Sequence, residues 1–395
     1  MASFLHLVRT YQYFGWLAFV VTVFLTPFAM RAAHRLGVLD IPDRNLKPHA
    51  HPVPYLGGAV ICAAWAIAVI ASLLSGVVRD WQIMLPLLGG GVAMSTLGLV
   101  DDVRGVSPRT RLIVGTVVVT ATILLTGAGF HLVDSTLAGI SACLGRNVTL
   151  PNALAVPLSV LISVFVVLGA CNSSNLIDGL DGLCSGVTGI ISCGFFLLAS
   201  HLALWNYSEA GDPIRLVLAI AMLGAALGFL PWNFNPAKIF MGDAGSVLLG
   251  YNCGILILLF AERGGILRWL VAALMIFALP VFDTALAMFR RWRAGRSIFE
   301  GDRSHFYDQL VQRGLSVRQT VLVCYGLTVL YAGMGLLLTL GRPGPNGVDV
   351  PILRTRYAVP LYFAVCVLTA LLAWRAGLTN PEEYRATRPA PPPSH

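Results

Sequence analysis

NALAVPLSVLISVFVVLGACNSSNLIDGLDGLCSGVTGIISCGFFLLASHLAL, residues 152–204, is the stretch that decides the fold. Its two apolar runs, 152–170 and 183–204, each match the about 20 residues with which an α-helix crosses a bilayer. Between them lies a short polar connection, Cys171-Asn-Ser-Ser-Asn-Leu-Ile-Asp-Gly-Leu-Asp-Gly182. The rest of the chain repeats this grammar. Of its 395 residues 56% are hydrophobic and only 12% charged, against about 25% charged in soluble domains. A soluble protein is excluded. The 40 Gly and 22 Pro follow no period, which excludes a collagen-like chain, and the apolar runs are continuous instead of alternating, which excludes a β-barrel.

Runs of bilayer length fall near 13–30, 55–78, 83–100, 110–128, 152–170, 183–204, 214–231, 244–261, 267–289, 318–340 and 357–374. The expected fold is therefore all-α, a polytopic integral membrane protein of about 11 transmembrane helices. The first run is no cleaved signal, since it is long, contains Pro27 and passes straight into Arg31 and Arg35. Residues 1–378 read as one membrane domain, and 379–395 as a disordered, Pro-rich cytoplasmic tail. No internal repeat is visible. The eight cysteines include no C-x-x-C pair, and Cys62, Cys184, Cys193, Cys253, Cys324 and Cys366 read as small buried hydrophobes inside apolar runs.

The net charge of +8 is a matter of sidedness. If the loop after the first span is cytoplasmic, that side collects 18 of the 27 Lys and Arg. This bias places the amino terminus outside, and the carboxyl terminus in the cytoplasm of a bacterial inner membrane. No basic run is interleaved with aromatics in a soluble module, so nucleic acid is not an expected partner.

Parity of the crossings then brings the scarce acids together. Asp101 and Asp102 follow the third span, Asn172, Asn175, Asp178 and Asp181 join the fifth and sixth, and Asn233, Asn235, Lys238 and Asp243 join the seventh and eighth. All three segments fall on the cytoplasmic face. Asn175, Asp178 and Asp181 recur at steps of three, which makes them neighbours in a helix or a turn. Gly179 and Gly182 allow a ligand or backbone to come close. Hard oxygen donors of this kind suit Mg²⁺, with Mn²⁺ as the alternative ion; Mg²⁺ takes one or two carboxylates and completes its shell with water and substrate phosphate.

Phe240-Met-Gly-Asp243-Ala-Gly-Ser246 opens the eighth span, where free amides and the helix dipole can meet an anion, or where Asp243 can act as a plain N-cap. Lys238 supplies a cation nearby. The basic loop 290–317 contains Asp302-Arg303-Ser-His305, which resembles a phosphate clamp, and the polar segment 40–58 carries Lys47, His49 and His51. Carboxylates, basic groups and a helix terminus at the ends of many spans call for a phosphorylated substrate, with one partner living in the bilayer. Phosphoryl transfer between a soluble and a lipid phosphate fits both demands. An ion-coupled or lipid transporter is the rival from another class, and it should place acids near mid-span in broken helices.

These motifs resemble the polyprenyl-phosphate N-acetylhexosamine-1-phosphate transferases, relatives of the dolichyl-phosphate enzyme of N-glycan synthesis and of the lipid I synthase. The matching pieces are Asp40-Ile-Pro with Val53-Pro-Tyr-Leu-Gly-Gly58, Gly98-Leu-Val-Asp-Asp102, Asn172 to Leu183, Asn235-Pro-Ala-Lys-Ile-Phe-Met-Gly-Asp-Ala-Gly-Ser246, Pro280-Val-Phe-Asp-Thr284 and Asp302-Arg-Ser-His305. The resemblance implies transfer of a sugar 1-phosphate from a UDP-sugar to undecaprenyl phosphate, with release of UMP. It makes Asp243 the principal Mg²⁺ ligand, with Asp178 beside it. Asp101 and Asp102 would position or deprotonate the lipid phosphate or help with metal. Asn175 and Asp178 would orient the diphosphate, and Asp181, Asn233 and Phe240, beside Gly179, would line the uridine pocket. Lys47, Arg303 and His305 would meet phosphates or the sugar. A membrane-embedded lipid acceptor and a homodimer are the expected partners.

Two departures bear on the sugar. Where many relatives read His-x-His-His, this chain reads His305-Phe-Tyr-Asp-Gln309, and its second span opens on Val-Pro-Tyr-Leu-Gly-Gly instead of the Thr-Pro-Thr-Met-Gly-Gly of lipid I synthases. The first leaves the sugar open, since that loop is taken to govern sugar choice in the family; the second points to UDP-N-acetylglucosamine ahead of UDP-N-acetylmuramoyl-pentapeptide, with UDP-N-acetylgalactosamine as a further alternative.

Overall fold

The computed structural model describes residues 4–41, 52–204, 212–261, 267–295, 305–343, 349–353 and 355–379. The chain is a bundle of α-helices. In order these are α1 (Phe4–Leu36), α2 (Gly57–Leu74), α3 (Trp81–Arg104), α4 (Pro108–Thr126), α5 (Leu132–Leu144), α6 (Asn152–Leu176) and α7 (Leu183–Leu204). There follow α8 (Asp212–Asn233), α9 (Gly242–Ala261), α10 (Leu267–Ile276), α11 (Ala278–Arg293), α12 (Phe306–Gln312), α13 (Val317–Thr339) and α14 (Thr355–Arg375). Two short antiparallel ribbons complete the described residues: β1 (Leu39–Asp40) with β2 (Val53–Pro54), and β3 (Gly341–Pro343) with β4 (Asp349–Pro351). Among the described residues 10 helices are long and apolar enough to cross a membrane, or 11 when α10 and α11 are taken as one bent span. The protein is thus an all-α, multi-pass membrane protein, as its apolar runs require.

The core is built around α9, whose span is buried throughout. It packs against α2, α3, α6, α8 and α10, and a helix apolar on every side is what the centre of a bundle demands. Peripheral helices turn large apolar side chains outward, among them Phe24 and Phe28 on α1, Leu125 on α4, Phe165 on α6 and Phe363 on α14. At the end of α9 remote from the acids, buried Arg215 ion-pairs with Asp212 at 3.2 Å and donates from Nε to the Leu259 carbonyl at 3.1 Å, satisfying a group that the end of α9 leaves open.

The helices differ from the expected runs in two places. The expected straight span 267–289 is broken, α10 and α11 meeting at 72°. Pro280 is the cause: it has no N–H for the Ile276 carbonyl, so the helical ladder is interrupted there. The additional helix α5 has 13 residues, too few to cross. It braces α6 and α9, the Val133 amide donating to Ser159 Oγ at 3.1 Å and Ser135 Oγ to the Ala261 carbonyl at 2.8 Å. Of the cysteines, Cys171, Cys184, Cys253 and Cys324 are buried as apolar residues are, but Cys193 is exposed on α7. The proposed tail segment, from residue 380 onward, lies outside the described residues.

Candidate active site

The site forms where the end of α3, the start of α4, the end of α6 and the start of α9 meet. The backbones come together through missing side chains. Gly98 of α3 lies against the Asp243 backbone so closely that a Cβ would collide with the Asp243 carbonyl. Gly242, at φ +65°, turns the chain into α9, and a Cβ there would stand 2.5 Å from Asp102 Oδ2. Ser95 Oγ, one turn before Gly98, donates to the Ala244 carbonyl at 2.9 Å and pins the same junction.

Asp243 occupies the centre. Its Oδ1 accepts from Asn175 Nδ2 at 2.6 Å and its Oδ2 from Arg111 Nη1 at 2.6 Å. Asn175 Nδ2 also reaches Ser246 Oγ at 3.1 Å, so the amide is held by α9 on two successive turns. Arg111 Nη1 donates in addition to Asp101 Oδ2 at 2.9 Å, while Asp101 Oδ1 accepts from the Val106 amide at 2.6 Å and shapes the turn out of α3. Asp102 has a different place: its two oxygens accept from the amides of Asp243 and Ala244 at 2.9 and 3.1 Å. The amides at the start of α9 that the motif offered to a substrate anion are therefore capped from α3 by Asp102, whose charge suits the positive end of the helix.

Asp178 lies in the turn between α6 and α7, between Asn175 and Asp181. Burial, and then the charges of Asp243, Asp102 and Asp181, push its carboxyl well above the ordinary carboxylate range. Neighbouring Gly179 is exposed and lies under the Tyr307 ring, whose hydroxyl donates to the Leu176 carbonyl at 2.7 Å. Tyr307 stacks at 5.4 Å on His305, whose Nδ1 lies 2.8 Å from Asp283 Oδ2; the other Asp283 oxygen accepts from the Phe306 amide at 2.7 Å. Asp283 and His305 are both buried, and Thr284 Oγ1 donates to Ser173 Oγ at 3.0 Å, tying α11 to the end of α6.

The expected nucleoside residues form the next layer. Asp181 Oδ2 accepts from Asn235 Nδ2 at 2.9 Å and from the Ala237 amide at 3.0 Å. Asn233 is buried, takes the Gly182 amide and Ser185 Oγ at 3.1 Å each, and donates to the Ile239 carbonyl at 3.0 Å. These bonds lock two loops together. The Phe240 ring meets Tyr55 edge to face at 6.2 Å, and its amide donates to the Pro54 carbonyl at 2.9 Å. Lys238 is exposed, its ammonium 5.7 Å from the Trp232 ring centre. Lys47 and Arg303, with His49 and His51, lie outside the described residues.

Asp101, Asp102, Asn175, Asp178 and Asp243 are thus brought together from three helix ends, while His305 approaches through Tyr307 and Gly179. Two participants escaped the motif reading. Asp283 sat in a quoted motif without a role. Arg111 was counted among basic loop residues, yet Ser107-Pro108 is a helix start, with Ser107 Oγ accepting from the Thr110 amide at 3.1 Å. A cation in the first turn opposes the helix dipole, and that is the signal that it answers nearby acids.

Comparison with known proteins bears on this geometry directly. Residues 84–261, which contain the whole acidic cluster, match the family described as Glycosyl transferase family 4. A Bacillus subtilis (strain 168) protein named "Probable undecaprenyl-phosphate N-acetylglucosaminyl 1-phosphate transferase" is 32% identical over 81% of this chain and 84% of its own length. The chain belongs to the polyprenyl-phosphate N-acetylhexosamine-1-phosphate transferase family. The Mycobacterium tuberculosis (strain ATCC 25618 / H37Rv) decaprenyl-phosphate N-acetylglucosaminephosphotransferase is 32% identical over 79% of this chain and 78% of its own. A phospho-N-acetylmuramoyl-pentapeptide-transferase of Mycobacterium sp. (strain KMS) is 29% identical over 82% of this chain and 96% of its own. The family places the transporter rival aside, as does the position of the acids at helix ends.

Proposed function

We propose that this transferase moves N-acetylglucosamine 1-phosphate from UDP-N-acetylglucosamine to undecaprenyl phosphate at the cytoplasmic face of a bacterial inner membrane. An oxygen of the lipid phosphate attacks the sugar-bearing phosphorus, the bond from that phosphorus to the bridging oxygen breaks, and UMP leaves. A phosphoanhydride is broken and another made, so the step is close to isoenergetic. The product is a lipid-linked diphosphate sugar of the kind that starts a cell-envelope glycan. The observation that carries this reading is Asp243, held by Asn175 and Arg111 and flanked by Asp101, Asp102 and Asp178, where three transmembrane helix ends reach one surface.

The residues fit a divalent cation. The donors are hard oxygens, and besides burial, which is the main cause of the raised Asp178 pKa, the neighbouring Asp243, Asp102 and Asp181 add negative charge that a cation would relieve. Among the described residues no group of three or more His, Cys, Asp or Glu is placed to hold a metal ion, so the protein would offer one or two carboxylates and the rest of the shell would come from water and substrate phosphate. Asp243 and Asp178 would hold Mg²⁺, which when bound neutralises charge developing on the diphosphate. The chain's own residues supply the rest. Asn175 fixes the rotamer of Asp243, and Asp102 fixes its backbone. Asp181 holds the 234–241 loop around the nucleoside end. Asp283 fixes His305 so that the other ring nitrogen, Nε2, is the one left to meet a phosphate or sugar oxygen.

The test is UMP release by purified protein given undecaprenyl phosphate, Mg²⁺ and a panel of UDP-sugars that includes UDP-N-acetylmuramoyl-pentapeptide. Release with UDP-N-acetylglucosamine, abolished by EDTA, is expected. Release that needs the muramoyl donor, or that survives EDTA, contradicts the reading.

A further inference from the structure

We propose that Arg111 is a displaceable counter-cation: its guanidinium, lying between Asp101 and Asp243, covers the Asp243 oxygen that a divalent ion would take, and metal arrival and Arg111 release are one exchange. The inference rests on the reading of Asp243 as a metal ligand and goes beyond it.

The geometry carries the argument. Arginine ordinarily grips a carboxylate with two parallel N–H bonds, and that fork is what makes the pair strong. Arg111 does something else. A single nitrogen, Nη1, serves two carboxylates at once, Asp101 Oδ2 at 2.9 Å and Asp243 Oδ2 at 2.6 Å. This is the arrangement of a point charge between two oxygens, not of a planar fork on one partner. Nε and Nη2 make no hydrogen bond among the described residues, and the side chain is 35% exposed. They remain available to an incoming phosphate.

The backbone adds nothing to this hold. Arg111 lies in the first turn of α4, whose dipole disfavours a cation, so only the two acids keep it there. Both pairs are partly solvated, Asp101 and Asp243 being 14% and 25% exposed, and a solvated ion pair is weak enough to exchange. Asp243 has one oxygen committed to Asn175, and the other is the oxygen Arg111 covers. An ion binding there must push the guanidinium away, and the freed Nη1 joins Nε and Nη2 on the substrate side. Substrate phosphate draws Arg111 off Asp243 while it helps to coordinate the metal, so metal and donor nucleotide bind cooperatively.

Mn²⁺ binding to the full-length protein in nanodiscs, followed by electron paramagnetic resonance, tests this without turnover. With the metal alone, Arg111→Gln should bind Mn²⁺ roughly three- to tenfold more tightly than the unaltered chain, the range expected for loss of a partly solvated competitor. Arg104→Gln removes the same charge from the same connection and should change the affinity less than about twofold, which separates displacement from bulk electrostatics. The gain in Mn²⁺ affinity on adding UDP-N-acetylglucosamine, without lipid phosphate, should shrink in Arg111→Gln, because coupling between ligands is reciprocal. Should Arg111→Gln fail to fold, Arg111→Lys, a cation with a single compact head, should give an intermediate affinity. Equal or weaker Mn²⁺ binding by the Arg111 variants, with normal binding by the unaltered chain, overturns the exchange and leaves Asp243 as a ligand. Mn²⁺ binding that is absent everywhere, or unchanged in Asp243→Asn, overturns the metal reading and the exchange with it.

Discussion

Replacing Asp102 by alanine separates two roles an acid beside a phosphoryl-transfer centre can have. In the structure both oxygens of Asp102 accept backbone amides, from Asp243 at 2.9 Å and Ala244 at 3.1 Å. A hydrogen bond to a charged group contributes about 1.5–3 kcal/mol, and loss of a helix cap costs about 1–2 kcal/mol. Because Asp102 is only half-buried, water recovers part of this. The variant should lose about 2–4 kcal/mol of stability, which at roughly 2 °C per kcal/mol for a long chain lowers Tm by about 4–8 °C. Asp102→Asn keeps one acceptor but turns an NH₂ toward an N–H, and should lose about half as much. Thermal unfolding in detergent, without metal or nucleotide, is the assay. Activity falls as well, since the amides that fix Asp243 are released. An Asp102 that acted only as proton acceptor would cost turnover and leave Tm untouched. Unchanged Tm in both variants therefore refutes the capping role.

Other perturbations test other parts of the site. Asp178 has its carboxyl pKa raised on folding, so the folded chain holds the proton more tightly than the unfolded one. Stability falls as pH rises above the unfolded value of about 4, and Asp178→Asn should be the more stable protein at pH 7 and inactive; a Tm difference that does not widen between pH 4 and 7 contradicts this. Asp283→Asn should lower kcat by roughly tenfold or more and alter the pH profile of kcat, since His305 loses the partner that sets its tautomer. A rate loss with an unaltered profile would reduce Asp283 to packing. Gly98→Ala drives a methyl into the Asp243 carbonyl and should cost about 1–3 kcal/mol together with most activity, read by Tm and UMP release.

The membrane architecture was legible because the length of an apolar run is a local property: every bilayer-length run corresponds to a helix or to the α10–α11 pair. The meeting of Asp101, Asp178 and Asp243 was legible for the same reason, since counting crossings fixes which loops share a face. What stayed hidden depends on contacts between distant segments. That Asp102 caps α9 while Asp101 shapes a turn cannot be read from two adjacent aspartates, because the difference lies in which backbone each meets 141 residues away or 5 residues away. That Asn233 ties two loops together was equally hidden, because it depends on Gly182 and Ile239. Arg111 was lost among the basic residues that orient the chain, although its place in a helix's first turn was readable. Pro280 and the break before it were also local and readable, but the run was apolar across the break and so looked continuous.

The central claim is that sugar and phosphorus travel together onto a lipid phosphate. Its most direct test uses UDP-N-acetylglucosamine carrying ¹⁴C in the sugar and ³²P at the sugar-bearing phosphorus, incubated with purified protein, Mg²⁺ and undecaprenyl phosphate, and partitioned into organic solvent. The account predicts both labels in the lipid phase at equal stoichiometry, with unlabelled UMP in the aqueous phase. Lipid that carries ¹⁴C without ³²P, or both labels left in water, contradicts it.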